Sequence, residues 1–167
     1  VNTHVLLGCG KSKRPRPWKG PIVDLYTGNL YRARLAVARL YGGPHWILSA
    51  FHGLRRPEYE AFAYDRTLDD RDIWRWYSGL VGSVMLYETN PGDRIVVLAS
   101  RPYWSGWDSE LRLEGRLVET PLEGLAMGEQ LRWLKAALDW SCGLCGEPHP
   151  PREHYGGQRH MCSEVRP

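Results

Sequence analysis

Two phenylalanines and three methionines in 167 residues leave the purely apolar aromatics and the flexible thioether almost unused. Eight tryptophans and nine tyrosines stand in their place. These rings carry a polar handle and suit wet interfaces or the stacking of bases. No apolar run approaches the length needed to cross a bilayer, and no signal-peptide pattern is present, so a cytoplasmic protein without a membrane anchor is expected. There is no internal repeat and no low-complexity segment. No G-x-S-x-G occurs, which removes the hydrolase-elbow reading. The glycines of the segment 123–130 form no G-x-G-x-x-G and bring no Walker lysine, so dinucleotide and P-loop readings fail. Charge of one sign is not in excess either: the net is +3. Cysteine is nearly absent outside the tail, since three of four fall in the last 26 residues. That distribution argues against a disulfide framework and for a local metal site plus one separate thiol, Cys9.

The length and a 43% hydrophobic content suit one domain, residues 1–140, with a small appendage at 141–167. Val5–Gly8, His45–Ala50, Arg94–Ala99 and Arg116–Thr120 read as strands, the third β-branched and continuous as in a sheet covered on both faces. Between them lie helical patterns. Asn29–Tyr41 has Asn29 as N-cap, with Leu30, Ala33, Val37 and Leu40 on one face. A helix capped by Asp69 or Asp70 carries Ile73, Trp76, Leu80, Val84 and Tyr87. Trp104–Glu114 is a third helix, and a fourth runs through Trp140. Alternation of strand and helix predicts an α/β fold: a three-layer domain with a mostly parallel four-stranded sheet and right-handed crossovers.

In such sheets ligands bind outside the carboxyl ends of the strands, and those ends carry the reactive groups here. After the first strand come Cys9, Lys11 and Lys13, followed by Arg14, Arg16 and Lys19, a basic cluster with no acid among them that suits phosphate. Cys9 is a candidate nucleophile, with the lysines and loop amides favouring its thiolate, or else a small hydrophobe. After the second strand, His52 before Gly53 could act as general acid or base, or be structural. Asp65, beside Tyr64, could stabilise charge or activate water, or serve as a helix-entry residue; Asp24 and Tyr26 are equally open. Tyr103 follows the third strand. The segment from Glu123 to Gln130 follows the fourth, before a helix whose free amides could hold an anion.

The tail pairs Cys142 and Cys145, spaced C-x-x-C, with Cys162. Thiolates and imidazole suit a structural Zn²⁺ held tetrahedrally, with His160 as fourth ligand and His154 or His149 as alternatives. Arg152, Arg159 and Arg166 would serve a nucleic-acid contact there.

Five segments in order, CGKSK, DLYTG, ILSAFHGL, AYDRTL and PLEGLAMGEQLRWL, resemble the YaaA-like domains of bacteria and phages, which are similar to the core domain of archaeosine synthase. The resemblance spans residues 4–138. It implies an α/β fold like that of uracil-DNA glycosylases and nucleobase or nucleic-acid business at the strand ends. It maps a pocket onto Cys9, Lys11, Lys13, Tyr26, Thr27, His52, Gly53, Tyr64, Asp65, Glu123 and Gln130. The glycosylase water-activating motif and His-Pro-Ser loop are not matched, which points away from ordinary uracil excision. The expectation is therefore an enzyme acting on a base in DNA, RNA or a nucleotide, by N-glycosidic cleavage or exchange or by base modification. In the glycosidic form His52 or a lysine steadies the departing base and Asp65 or Glu123 the sugar cation; in the modifying form Cys9 attacks an electrophilic carbon. A non-catalytic nucleic-acid-binding module of a phage or stress-response system is the alternative.

Overall fold

A computed structural model describes residues 1–139. The expected zinc tail at 141–167, with Cys142, Cys145, His160 and Cys162, lies outside the described residues. In chain order the elements are β1 (Thr3–Gly8), β2 (Lys19–Pro21), α1 (Asn29–Leu40), β3 (His45–Ser49), β4 (Gly53–Arg55), β5 (Glu60–Phe62), α2 (Arg71–Glu88), β6 (Arg94–Leu98), α3 (Asp108–Leu113), β7 (Leu117–Glu119) and α4 (Met127–Asp139).

The main sheet has five strands in the order β4-β3-β1-β6-β7, and β2 and β5 form a separate antiparallel ribbon. All four expected strands are present and parallel, with β1 between β3 and β6. The four-stranded expectation is corrected by β4, which returns antiparallel on β3 and makes the sheet mixed. Three residues, Gly-Leu-Arg, carry too short an apolar pattern to announce a strand. Gly53 takes φ +73°, a left-handed conformation that costs a side-chain-bearing residue about 1–2 kcal/mol, and so lets the hairpin close.

Alternation along the strands divides the core. Val5, Leu7, Ile47, Val96 and Leu98 face Tyr31 and Val37 of α1 and Trp133 and Leu134 of α4. Leu6, Leu48, Ile95 and Val97 face the other way, against Tyr77, Val81 and Met85 of α2, Leu111 of α3, and Trp107. Both faces are therefore covered, as the continuous β-branched runs require. The chain goes from β1 to β3 on one side and then to β6 on the other. The carboxyl end of β1 is thus a topological switch point.

Three helix readings are corrected. Asn29 is the first residue of α1 rather than its cap; Gly28 precedes it without a side-chain bond. The buried stripe of α2 is Tyr77, Ser78, Val81, Gly82 and Met85, one residue round from the expected face, which leaves Trp76 and Tyr87 exposed. Small residues help to form that face: a Cβ on Gly82 would stand 3.2 Å from Trp107 Cβ. Helix α3 is shorter than expected, and a 3₁₀ turn, Arg101–Tyr103, precedes it. Asp70, one of the two expected caps, does hold the start of α2, accepting from the amides of Asp72 and Ile73. Among the described residues no helix is long and apolar enough to cross a membrane.

Candidate functional site at the strand ends

Three parallel strands deliver their next residues to one place. Ladder bonding between β1 and β3 continues one residue further, with the Cys9 amide donating to Leu48 O at 2.9 Å, so Cys9 sits on the rigid end of β1. Its thiol donates to Tyr103 Oη at 3.1 Å. Tyr103 is held in turn by its own carbonyl, which accepts from Tyr77 Oη at 3.0 Å and Trp107 Nε1 at 3.1 Å. At the end of β3, Ser49 Oγ donates to Tyr64 Oη at 3.0 Å, and Tyr64 Oη lies 3.0 Å from Tyr26 Oη. Tyr26 is placed by a bridge to Lys13 and by the Thr27 amide bonding Ser12 O. The Lys13 ammonium lies 4.6 Å from the centre of the Tyr64 ring, within cation–π reach.

Beneath this layer is a residue the sequence reading passed over. Arg34 of α1 is 4% exposed. Its Nη1 donates to Gly8 O at 3.3 Å and its Nη2 to Gln130 Oε1 at 2.9 Å. Its Nε has no partner among the described residues. Gly8 makes the approach possible, because a Cβ there would stand 3.0 Å from Arg34 Nη1 and 2.9 Å from Ala99 Cβ. Gln130 is fixed by donating to Leu125 O. Burial lowers the Arg34 pKa to about 10, opposed by nearby Cys9 and Tyr103. Arginine inside a helical apolar pattern reads as a solvated residue; the signal that would have found it is its register beside Ala33, Val37 and Ala38 on the buried face. Ser49 was missed for a similar reason, since it closes the apolar strand as an ordinary small residue.

Burial is also the main cause pushing the Tyr26, Tyr64 and Tyr103 phenols well above their ordinary range, with Cys9 adding to it, so all three are neutral donors or acceptors at neutral pH. Among the described residues no carboxylate hydrogen-bonds to any member of this cluster. Hydroxyls, a thiol and two cations face each other without an acid. A buried cation with no counter-ion is costly, and such a constellation favours a group that is anionic or becomes so.

The remaining expected residues are placed as follows. His52 is buried at the edge of the cluster, its ring 5.3 Å from that of Tyr64. Its Nε2 is 3.1 Å from Phe62 O, which makes the neutral ring a donor to a backbone carbonyl. Burial lowers its pKa. Its amide bonds Ser49 Oγ, and Gly53 follows in the turn. Lys11 and Asp65 are exposed. Glu123 is exposed and accepts from Thr120 Oγ1 at 3.0 Å, at the end of β7. At the start of α4, Glu129 turns back to take the Ala126 amide at 2.8 Å, as in a capping box, which occupies one of the amides at that helix end. Among the described residues no group of three or more His, Cys, Asp or Glu side chains is arranged to hold a metal ion.

No curated protein matches the chain. Residues 5–136, which include every strand-end residue described above, match DUF6884, a family of unknown function, and the chain belongs to that family.

Proposed function

We propose that this protein is a nucleobase-processing enzyme acting on DNA, RNA or a nucleotide, with its active site at the ends of β1, β3 and β6. The observation that carries the reading is the Cys9–Tyr103 pair at a topological switch point, set among Ser49, Tyr26, Tyr64, Lys13 and the buried Arg34. The fold likeness to uracil-DNA glycosylases, the kinship with YaaA-like domains, a cytoplasmic location and a structural Zn²⁺ on the tail belong to the same proposal.

Of the two chemistries, base modification is better supported than N-glycosidic cleavage or exchange. The ring of His52 is engaged with a backbone carbonyl, and Asp65 and Glu123 are exposed. Cys9, by contrast, has a hydroxyl partner and nearby positive charge. In the modifying form its sulfur adds to an electrophilic carbon, such as the nitrile carbon of a 7-deazaguanine. A C–S bond forms, the π pair moves to nitrogen, and the thiol proton passes through Tyr103 to that nitrogen, giving a thioimidate with every atom retained. Lys13 and Arg34 stabilise the charge that develops on nitrogen before the proton arrives.

The alternative, a non-catalytic nucleic-acid-binding module, draws on the exposed cations Lys11, Arg14 and Arg16 of the first loop. Mass spectrometry of nucleosides from DNA, RNA and free nucleotides incubated with purified full-length protein separates the two. A freed base or a changed mass is the expected result; retention of nucleic acid with every nucleoside unchanged would sink the enzymatic reading.

A further inference from the structure

We infer that the ribbon of β2 and β5 is a track for a single-stranded polynucleotide leading into the strand-end site, an inference that rests on the proposed function and specifies its substrate.

A depression of about 490 Å³ is lined by Arg16, Pro17, Trp18, Lys19, Phe62 and Ala63. Its lining carries two aromatic rings, Trp18 and Phe62, and two cations, Arg16 and Lys19. The Trp18 indole lies over Gly20, where a Cβ would stand 3.0 Å from its ring. Phe62, opposite Lys19 in the ribbon, is 47% exposed. From it a run of rings leads inward: Phe62 to Phe51 at 5.3 Å, and Phe51 to Tyr64 at 5.2 Å, the latter pair stacked at 25°. Cations accompany the run, with Arg66 at 5.0 Å from the Phe51 ring and Lys13 at 4.6 Å from Tyr64. Tyr64 is already a member of the strand-end cluster. Depression and site are therefore joined by a run of ring contacts that passes from the exposed Phe62 to the buried Tyr64.

Alternating aromatic faces and cations are the means by which proteins hold single strands: every base has a π-face, and phosphates meet the charges between. A duplex hides those faces, and a lone nucleotide would engage only one end of the run. Glu58, Glu60 and Asp65 are exposed acids in the chain segment 58–65 that includes β5. Glu60 is paired with Lys19 at 2.7 Å, so Arg16, Arg66 and Lys13 are the cations assigned to phosphate. Bases stack on Phe62 and Trp18, and the target nucleotide reaches Cys9.

Fluorescence anisotropy tests this with one labelled sequence of about 15 nucleotides as single-stranded DNA, as single-stranded RNA and as a DNA duplex. A mononucleotide serves as competitor. The expected result is binding of single strands at least tenfold tighter than duplex. The affinity should fall by a log–log salt slope of about −2, for two to three phosphates contacted. Phe62→Ala should weaken binding about tenfold, since stacking on one ring is worth roughly that factor. It leaves the backbone carbonyl that His52 uses in place. Arg16→Glu, on an exposed loop, gives a second reading should Phe62→Ala fail to fold. The DNA and RNA arms identify which polymer is preferred. Equal binding of duplex, or unchanged single-strand binding in both variants, overturns the track; if nucleosides are nevertheless altered, the enzymatic reading stands without it. Variant-sensitive single-strand binding with no altered nucleoside leaves the track standing and removes the enzymatic reading.

Discussion

Replacing Ser49 by alanine removes one oxygen that three groups use. Ser49 is fully buried, accepts from the His52 amide at 3.0 Å and, at the longer distance of 3.4 Å, from the Phe51 amide, and donates to Tyr64 Oη at 3.0 Å. In the variant the buried His52 amide loses its acceptor, which costs about 1–3 kcal/mol, and Tyr64 loses a neutral hydrogen bond worth about 1 kcal/mol. The Phe51 contact is too long to add much. We therefore expect a destabilisation of about 2–4 kcal/mol, read as a lower urea midpoint with an unchanged slope. At roughly 2–4 °C per kcal/mol for a chain of this size, Tm should fall by about 5–15 °C. The hydrogen bond itself is isolated by a cycle of Ser49→Ala, Tyr64→Phe and the double variant, for which a coupling of about 1 kcal/mol is expected. Additivity within about 0.3 kcal/mol, or a Ser49→Ala loss below about 0.5 kcal/mol, would refute the idea that this serine ties the β3–β4 turn to the phenol cluster.

Other perturbations have equally definite signs. Gly53→Ala forces an alanine to φ +73° and sets its Cβ 2.5 Å from Leu80 Cδ2; the backbone alone should cost about 1–2 kcal/mol. Leu80→Ala in that background relieves the clash but not the backbone, so full recovery of the urea midpoint would contradict the assignment. Burial lowers the pKa of His4, His45 and His52 below the ordinary 6.5. The unfolded chain then binds protons first as pH falls, so this stability is present above 6.5 and is lost as pH drops through the folded values. Thermal midpoints should decline from pH 7 downward, and a flat or rising profile there would be inconsistent. Arg116, 7% exposed, donates to the carbonyls of Leu86 and Thr89 at the end of α2. Arg116→Ala should cost about 2–4 kcal/mol and speed hydrogen exchange over the last turn of α2; a variant as stable as the parent would exclude that capping role.

Much of this architecture is legible in the residues. Four strands announce themselves as short apolar runs, and the polar residues that follow three of them do converge. Packing on both faces of the sheet follows from the uninterrupted β-branched run Ile95-Val96-Val97 within Arg94–Leu98. What escapes sequence reasoning depends on long-range partners. Lys19–Pro21 and Gly53–Arg55 become strands only because Glu60–Phe62 and β3 lie beside them. On α2 the buried face includes Ser78 and Gly82 beside Tyr77, Val81 and Met85, and the value of Gly82 is smallness against Trp107 rather than hydrophobicity. Arg34 is the clearest case. Its burial depends on Gly8 and Gln130, 26 and 96 residues away in sequence, and locally only its register on the buried face of α1 separates it from the exposed Arg32. The same distance effect separates the expected site residues. Cys9, Tyr26, Tyr64 and Tyr103 meet through hydroxyls and a thiol, whereas Asp65 and Glu123, chosen for their charge, are exposed.

The most direct test compares wild type, Cys9→Ser and Tyr103→Phe in the nucleoside mass-spectrometry assay, on whichever of DNA, RNA or nucleotide the wild type alters. Thermal unfolding of each variant shows that the fold is kept. The account predicts loss of the altered nucleoside with Cys9→Ser and a reduced rate, of order a hundredfold, with Tyr103→Phe, as for a group that relays a proton in the transition state. Full turnover by a folded Cys9→Ser protein would contradict it.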